Sequence, residues 1–526
     1  MAGLQAPMST TRAPTWMVAS ADQLATQAGM AILALGGNAV DAAVATNAAI
    51  AVTGPHLCGM GGDLFALVHD GTNLHALDAS GRAGAGADAA AMRREGLREV
   101  PFRHDVRAVT VPGCVDGWAA LHGRLGRLPL AEVLAPAIGL AERGFPASPL
   151  LVASLATVDG AARVQLAELG AQARRPGARV TRPGVGRALR AVTEGGRDAF
   201  YLGEFGDGLR RLGGGLYDDA DLARPGATWV PPLSAPAFGR VLHTVPPPSQ
   251  GYLLLGAAGL ADRLDLPDDP DDVRWAHLLV EAAKAAGRDR PDVLGDRADG
   301  AALLAAISSR WGEIDPERAA RLHRRDRGGD TTYLAAVDGD RMGVSLIQSN
   351  ASGFGSWLVE PSTGVNLHNR GLGFSLVEGH PGELGPGRRP PHTLSPALAT
   401  HPDGSLAAVL GTMGGDGQPQ ILLQLAARLF RHDQSPAVAV DAGRWVLHGE
   451  VTGFDTWTSD DGPGVRVEGH APAGWVDGLS QRGHRARRDP PYDSGFGHAH
   501  AIVVQPDGLL AGSADPRARV GSVAGA

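Results

Sequence analysis

The chain contains a single lysine, Lys284, among 526 residues, and that scarcity removes whole classes of chemistry. A phosphate-cradling G-x-x-x-x-G-K-[ST] loop cannot be written, and Ser-x-x-Lys acylase logic has no lysine to use. Lys284 itself closes the helical pattern His277-Leu278-Leu279-Val280-Glu281-Ala282-Ala283-Lys284, where a solvated side chain is expected. Cysteine is equally sparse. Cys58 and Cys114 fall short of a disulfide framework or a four-ligand zinc site and, in apolar glycine-rich surroundings, read as buried thiols. No window reaches the roughly 18 uninterrupted apolar residues of a spanning helix. Met1 to Val18 lacks the basic start and apolar run of a secretory signal, so the cytoplasm is the expected compartment. A net charge of −8 with scattered arginines offers no basic stripe, and neither nucleic acid nor membrane is expected as a partner.

Glycine and proline are plentiful, 74 and 37 residues, in short clusters without a G-X-Y period. With 44% apolar residues the composition is that of a turn-rich globular enzyme scaffold of several domains or one layered unit. Ala21 to Leu35 predicts an amphipathic helix, capped by Ser20 and stopped by Gly36-Gly37. A second helix, small and apolar on most sides, follows from Asn38. Leu64 to Val68 and Leu74 to Leu77 flank His69-Asp70-Gly71, a hairpin signal. Further helices are predicted over Pro129 to Glu142, Val185 to Glu194, Trp275 to Gly287, Gly300 to Arg310 and Gln418 to Leu429, with a loop-rich middle from Gly195 to Pro248. Arg318 to Asp330 holds five arginines and two glycines without an apolar face, as in an exposed connector. Strands are predicted beyond it, at Thr331 to Val337, Gly343 to Ser349, Ser395 to Thr400, Leu406 to Gly411, Ala499 to Val504 and Leu509 to Ala511. Helices with hairpins throughout imply an α+β fold, antiparallel sheets covered by helices.

The connector runs directly into Thr331-Thr332. A cut between Asp330 and Thr331 would give Thr331 a hydroxyl nucleophile and a free α-amine able to take its proton. With a reference pKa of about 7.7 to 8.0, that amine has a useful neutral fraction near neutral pH. By themselves the two threonines are equally ordinary strand residues. Gly414 and Gly415, in Leu410-Gly411-Thr412-Met413-Gly414-Gly415-Asp416, can aim backbone N–H groups at a developing oxyanion, or simply make a tight turn. His498 and His500 share a strand face but lack acidic or cysteine partners at usable spacing, so no metal is expected. In Gly353-Phe354-Gly355-Ser356-Trp357 the serine stands one position too late for a nucleophile elbow.

Taken in series, Gly36-Gly37-Asn38-Ala39-Val40-Asp41-Ala42-Ala43, Pro55-His56 through Gly59-Met60-Gly61-Gly62, Val111-Pro112-Gly113, Pro246-Pro247-Pro248-Ser249, Thr331-Thr332, Phe354-Gly355-Ser356 and Gly414-Gly415 resemble the γ-glutamyltranspeptidase family of N-terminal nucleophile hydrolases, from about Val18 to Arg517. The resemblance implies a four-layer αββα sandwich made by two fragments of one precursor, residues 1–330 and 331–526, bound to each other. It implies Thr331 as nucleophile, Gly414 and Gly415 as oxyanion donors, and Ser349 as a second hydroxyl beside the nucleophile, replacing the more usual threonine. No cofactor is implied, and homo-oligomerisation is left open.

The departures concern the substrate. Where family members that bind glutathione carry an arginine in a Leu-Asp-Phe-Arg-Glu-like segment, this chain has Leu77-Asp78-Ala79-Ser80-Gly81-Arg82, with the arginine displaced by two residues. An acid for the glutamyl ammonium has become Gly373, in Asn369-Arg370-Gly371-Leu372-Gly373-Phe374, and a serine pair reads His392-Thr393. A pocket that gains Arg370 and loses an acid favours a carboxylate-rich, amine-poor substrate, held by Arg82, Arg370, His392 and Thr393. With Ser345-Leu346-Ile347-Gln348-Ser349-Asn350 and Arg388-Arg389-Pro390-Pro391-His392-Thr393, this points to the sub-group that includes oxamate-type amidohydrolases. The expected activity is self-cleavage followed by transfer of a small acyl group to water or an amine. A γ-glutamyl hydrolase or transferase, a homologue that cleaves a C–C bond, and an uncleaved binding protein are the alternatives.

Overall fold

Strand parity organises the molecule into four layers. The computed structural model describes residues 9–320, 330–449, 456–457 and 463–526. Its two seven-stranded sheets are built, in chain order, from β1 (Thr11–Ala13), β2 (Met17–Ser20), β3 (Asp63–His69), β4 (Leu74–Ala79), β5 (Thr228–Val230), β6 (Leu233–Ala237), β7 (Arg240–Thr244), β8 (Asp330–Val337), β9 (Gly343–Ala351), β10 (Ala397–Thr400), β11 (Leu406–Thr412), β12 (Ala499–Val504), β13 (Leu510–Ser513) and β14 (Ser522–Gly525). One sheet has the order β14-β2-β8-β9-β3-β4-β5 and the other β1-β13-β12-β11-β10-β7-β6, with neighbours antiparallel. Along β8, Leu334 and Ala336 face the helices, whereas Tyr333, Ala335 and Val337 face the opposite sheet with Phe65, Leu67, Ile347, Leu398 and Val409. That alternation, period two, is what lets one strand serve two cores.

Five helices cover the first sheet: α1 (Gln23–Ala34), α2 (Ala39–Thr53), α3 (Cys114–Leu125), α4 (Leu130–Arg143) and α5 (Pro183–Tyr201). Every residue of α2 is buried, as its small apolar sequence requires. The cap of α1 is Asp22, which accepts from Leu24 N at 2.7 Å, and not Ser20, which ends β2. The second sheet is covered by α6 (Tyr252–Ala261), α7 (Val273–Gly287) and α8 (Gln418–Ala426), with α9 (Trp475–Gln481) packed on α7.

Two further expectations are corrected. The middle of the chain is not mainly loop: it supplies a helix at Glu204–Gly213 and strands β5, β6 and β7, with Pro236 tolerated because β6 is an edge strand. Lys284 is 4% exposed, because α7 is covered on its outer side and the ammonium finds Glu281 within the protein. Cys58 and Cys114 are buried thiols. Most of the connector, residues 321–329, lies outside the described residues.

Candidate active site

One end of the layer between the sheets gathers the polar residues. Asp330 pairs with Ala351 and Thr332 with Gln348, so the register shifts around Thr331 at the mouth of β8. Thr331 is 1% exposed, and its Oγ1 lies 3.1 Å from Ser349 Oγ, with either hydroxyl able to donate. Ser349 Oγ accepts from Ala351 N at 2.8 Å, which fixes its rotamer. A hydroxyl held this way can steer a neighbouring nucleophile.

Next to Ser349 in register stands Asp63, the first residue of β3. The turn Gly59-Met60-Gly61-Gly62 brings it there by pressing on β9: a Cβ on Gly62 would lie 2.2 Å from Ser349 O, and Gln348 braces Gly59 with bonds to both its N–H and its carbonyl. Asp63 is fully buried. Its Oδ2 accepts from Arg370 Nε at 2.7 Å and faces His368 Nδ1 at 3.4 Å. His392 Nε2 is 3.1 Å from the same oxygen without hydrogen-bond alignment. Burial alone would raise the Asp63 pKa, but Arg370 and His392 outweigh it and hold the carboxyl well below its usual range. Burial, reinforced by Arg370, pushes His392 down to about 4, so it is neutral at pH 7.

Arg370 is 1% exposed. Its Nη1 donates to Thr393 Oγ1 at 3.1 Å, whereas Nη2 has no hydrogen-bond partner among the described residues, and neither has Asp63 Oδ1. A buried donor and a buried acceptor left open beside a hydroxyl pair mark a place where a polar ligand or water completes the network. Thr393 is tied onward. Gln250 Nε2 donates to Thr393 O at 2.8 Å and to Gly415 O at 3.0 Å, coupling this cluster to the glycine turn between β11 and α8. In that turn Gly414 has φ 133° and Gly415 φ 55°, the left-handed half of backbone space that glycine supplies without strain.

The structure therefore joins Thr331, Ser349, Arg370, His392, Thr393 and the Gly414–Gly415 turn. Arg82 stands apart. It is half-buried, with Nη1 3.4 Å from Gly387 O, and burial, then the charges of Arg389 and Arg224, lower its pKa to about 10. His498 and His500 are buried, His498 Nε2 meeting Ser494 Oγ at 2.9 Å and His500 Nδ1 accepting from Asp515 N at 3.1 Å. Sequence reasoning missed Asp63, His368 and Gln250. Asp63 directly follows a glycine motif already singled out, and Gln250 directly follows Pro246-Pro247-Pro248-Ser249; adjacency was their only signal.

Two stacked antiparallel sheets between helical layers, with a hydroxyl residue at the start of a central strand, define the N-terminal nucleophile hydrolase fold. The γ-glutamyltranspeptidase family model matches residues 25–525, and the chain belongs to that family. It is 36% identical over 535 residues to the oxamate amidohydrolase proenzyme of Klebsiella pneumoniae, covering 97% of this chain and 98% of the relative. To the glutathione hydrolase-like YwrD proenzyme of Bacillus subtilis it is 35% identical over 524 residues, covering 95% and 97%. The cephalosporin acylase of Bacillus halodurans superposes with a TM-score of 0.90 at 33% identity, covering 100% of this chain and 98% of the acylase. The protein is thus an autoprocessing amidohydrolase of this family.

Proposed function

We propose that the chain cuts itself between Asp330 and Thr331, into residues 1–330 and 331–526, and that Thr331 then opens the amide of a small carboxylate-bearing acyl donor. The observation that carries this reading is the Thr331–Ser349 hydroxyl pair, buried at the start of β8 where the connector ends. The freed α-amine takes the Thr331 proton as Oγ1 attacks the amide carbon. The Gly414 and Gly415 N–H groups receive the oxyanion, the amine leaves with a proton, and water releases the acyl group from the threonyl ester. An added amine replaces water in the transfer reaction.

Arg370 Nη2 is the donor for the acyl group's carboxylate, with His392 and Thr393 shaping its surroundings. Asp63 and Thr393 take the Nε–H and one Nη1 N–H of Arg370, so its Nη2 end stays open to a compact carboxylate such as that of oxamate. Arg82, set farther out, meets the larger end of a longer donor. The cytoplasm is the compartment we assign. Among the described residues no helix is long and apolar enough to cross a membrane.

Intact masses of wild type and Thr331→Ala after incubation at neutral pH test the cut. Fragments ending at Asp330 and starting at Thr331 in wild type, with an intact variant, are expected; an uncut wild type would leave a binding protein. Assay of the cut enzyme on oxamate and on a γ-glutamyl anilide then tests the donor. Preference for the anilide would transfer the reading to a γ-glutamyl hydrolase, with Asp63 Oδ1 as the ammonium's acceptor.

A further inference from the structure

The chain's one lysine ammonium has an acceptor for every proton. Lys284 Nζ donates to Glu281 Oε1 at 2.9 Å, to the carbonyl of Ala320 at 3.2 Å and to His484 Nδ1 at 3.1 Å. Since His484 Nδ1 accepts, its Nε2 carries the proton and donates to His277 Nδ1 at 2.8 Å. His277 then donates through Nε2 to Asp315 O at 3.0 Å. Glu281 Oε2 accepts from Ala320 N at 2.9 Å. The circuit closes with one cation, one anion and two neutral imidazoles. His277, Glu281 and His484 have the proximity of a metal-ligand trio, their ligand atoms within 4.8 Å of one another. Lys284 already supplies the cation there and uses lone pairs of both Glu281 and His484.

What this network grips is one short segment. It holds both backbone polar groups of Ala320 and the carbonyl of Asp315. Arg482 adds a backbone bond from Ala319 N at 2.8 Å and an ion pair to Glu317 at 3.5 Å. Lys284, Glu281 and His277 precede the proposed cut, whereas His484 and Arg482 follow it. Ala320 stands eleven residues before Thr331 (331 − 320). The chain entering the connector is therefore fastened by groups from both halves of the precursor, on a frame stiffened by the stacked rings of Trp275 and Trp475.

We propose that Lys284, Glu281 and His484 are positioning residues for self-cleavage: they fix the upstream end of the connector as β8 fixes the downstream end. The inference rests on Thr331 being the nucleophile. Its hydroxyl attacks the peptide bond of its own residue, so reach is not at issue and orientation of the Asp330 carbonyl is. On this reading that orientation depends on where Ala320 and Asp330, the described residues on either side of 321–329, are held. After the cut the same network keeps the new tail attached to the small fragment through His484 and Arg482.

The test compares wild type with the charge-neutral double variant Glu281→Gln/Lys284→Met and with the milder His484→Gln. It follows precursor mass against time, amide hydrogen exchange at Ala319 and Ala320, and turnover of the fully cut enzyme. Loss of protection at Ala320, whose N–H is bonded to Glu281, cleavage slowed about fivefold or more and unchanged turnover once cut are expected of the double variant. His484→Gln, which removes one of the links to the small fragment and leaves those of Arg482, is expected to fall between and covers the case of a double variant that does not fold. Wild-type cleavage rates despite lost protection at Ala320 would overturn the proposal, as would protection of Ala320 that survives the substitutions. A wild type that never cuts at Asp330–Thr331 would overturn the nucleophile assignment instead, while leaving the exchange result interpretable.

Discussion

Thr331 Oγ1 and Ser349 Oγ are 3.1 Å apart at the inner ends of two neighbouring strands, and Ser349 is locked by the Ala351 N–H. A hydrogen bond of this kind contributes about 1 kcal/mol when its partner is lost, more where the orphaned group is buried. Ser349→Ala is therefore expected to slow self-cleavage and substrate turnover together, each by about tenfold, since in the proposed reaction both use the Thr331 hydroxyl. Rates of precursor loss and of steady-state turnover check it; a change in only one would separate the two reactions.

Asp63 and Arg370 form a buried ion pair, 0% and 1% exposed at their side chains. Removing one partner strands the other charge, at a typical cost of about 3–5 kcal/mol. Arg370→Gln alone should thus lower thermal stability sharply. Asp63→Asn/Arg370→Gln should recover most of that stability and still show an elevated KM for a carboxylated amide, because the open Nη2 donor is gone. A double variant with wild-type KM would remove Arg370 from substrate binding.

The layered fold was legible because its signals are local. Period-two alternation in Tyr333-Leu334-Ala335-Ala336-Val337, the Asp70-Gly71 turn and the Gly36-Gly37 stop each follow from a few neighbouring residues. The nucleophile candidate and its glycine turn were legible for the same reason, and through the ordered motifs. Asp63 and Gln250 were not, since their meaning comes from strand register and from contacts with residues 307 and 165 positions away. Lys284 misled, because a lone charge on a helix reads as solvated until the helix beyond it is known. The strands β5 to β7 were hidden by their shortness and, in the edge strand β6, by Pro236.

Acid should destabilise the protein well before its carboxylates titrate. Burial holds His243, His392 and His498 near pKa 4 and His56 and His500 near 3, against an ordinary value of about 6.5. Each has a lowered folded-state pKa, so the unfolded chain binds more protons once the pH drops below about 6.5. Stability is then lost progressively down to pH 4 and below, at up to about 1.4 kcal/mol per pH unit for each histidine. Asp63, held low, adds its loss only below about pH 4. Melting temperatures at pH 8, 6.5, 5.5 and 4.5 should be flat over the first interval and fall over the others. A profile flat to pH 4.5 would mean that these imidazoles open to solvent without unfolding.

Tyr333 ties the site to the core. Two residues beyond Thr331, its ring lies over Gly411 of β11, where an added Cβ would come within 2.1 Å of a ring carbon, and its hydroxyl accepts from Ser345 Oγ at 3.2 Å. The glycine is thus required by the ring, not by its own backbone, and the ring cannot retreat because it is fully buried between the sheets. Gly411→Ala is expected to cost about 1–3 kcal/mol through overpacking, read from chemical denaturation. It should also move the start of β8 and so depress cleavage by more than the stability loss alone explains. Tyr333→Leu in the same chain makes room for the methyl, so the double variant should lose less than the sum of the two single changes. Strict additivity would mean that ring and glycine do not press on each other, and the link between core packing and Thr331 would fall with it.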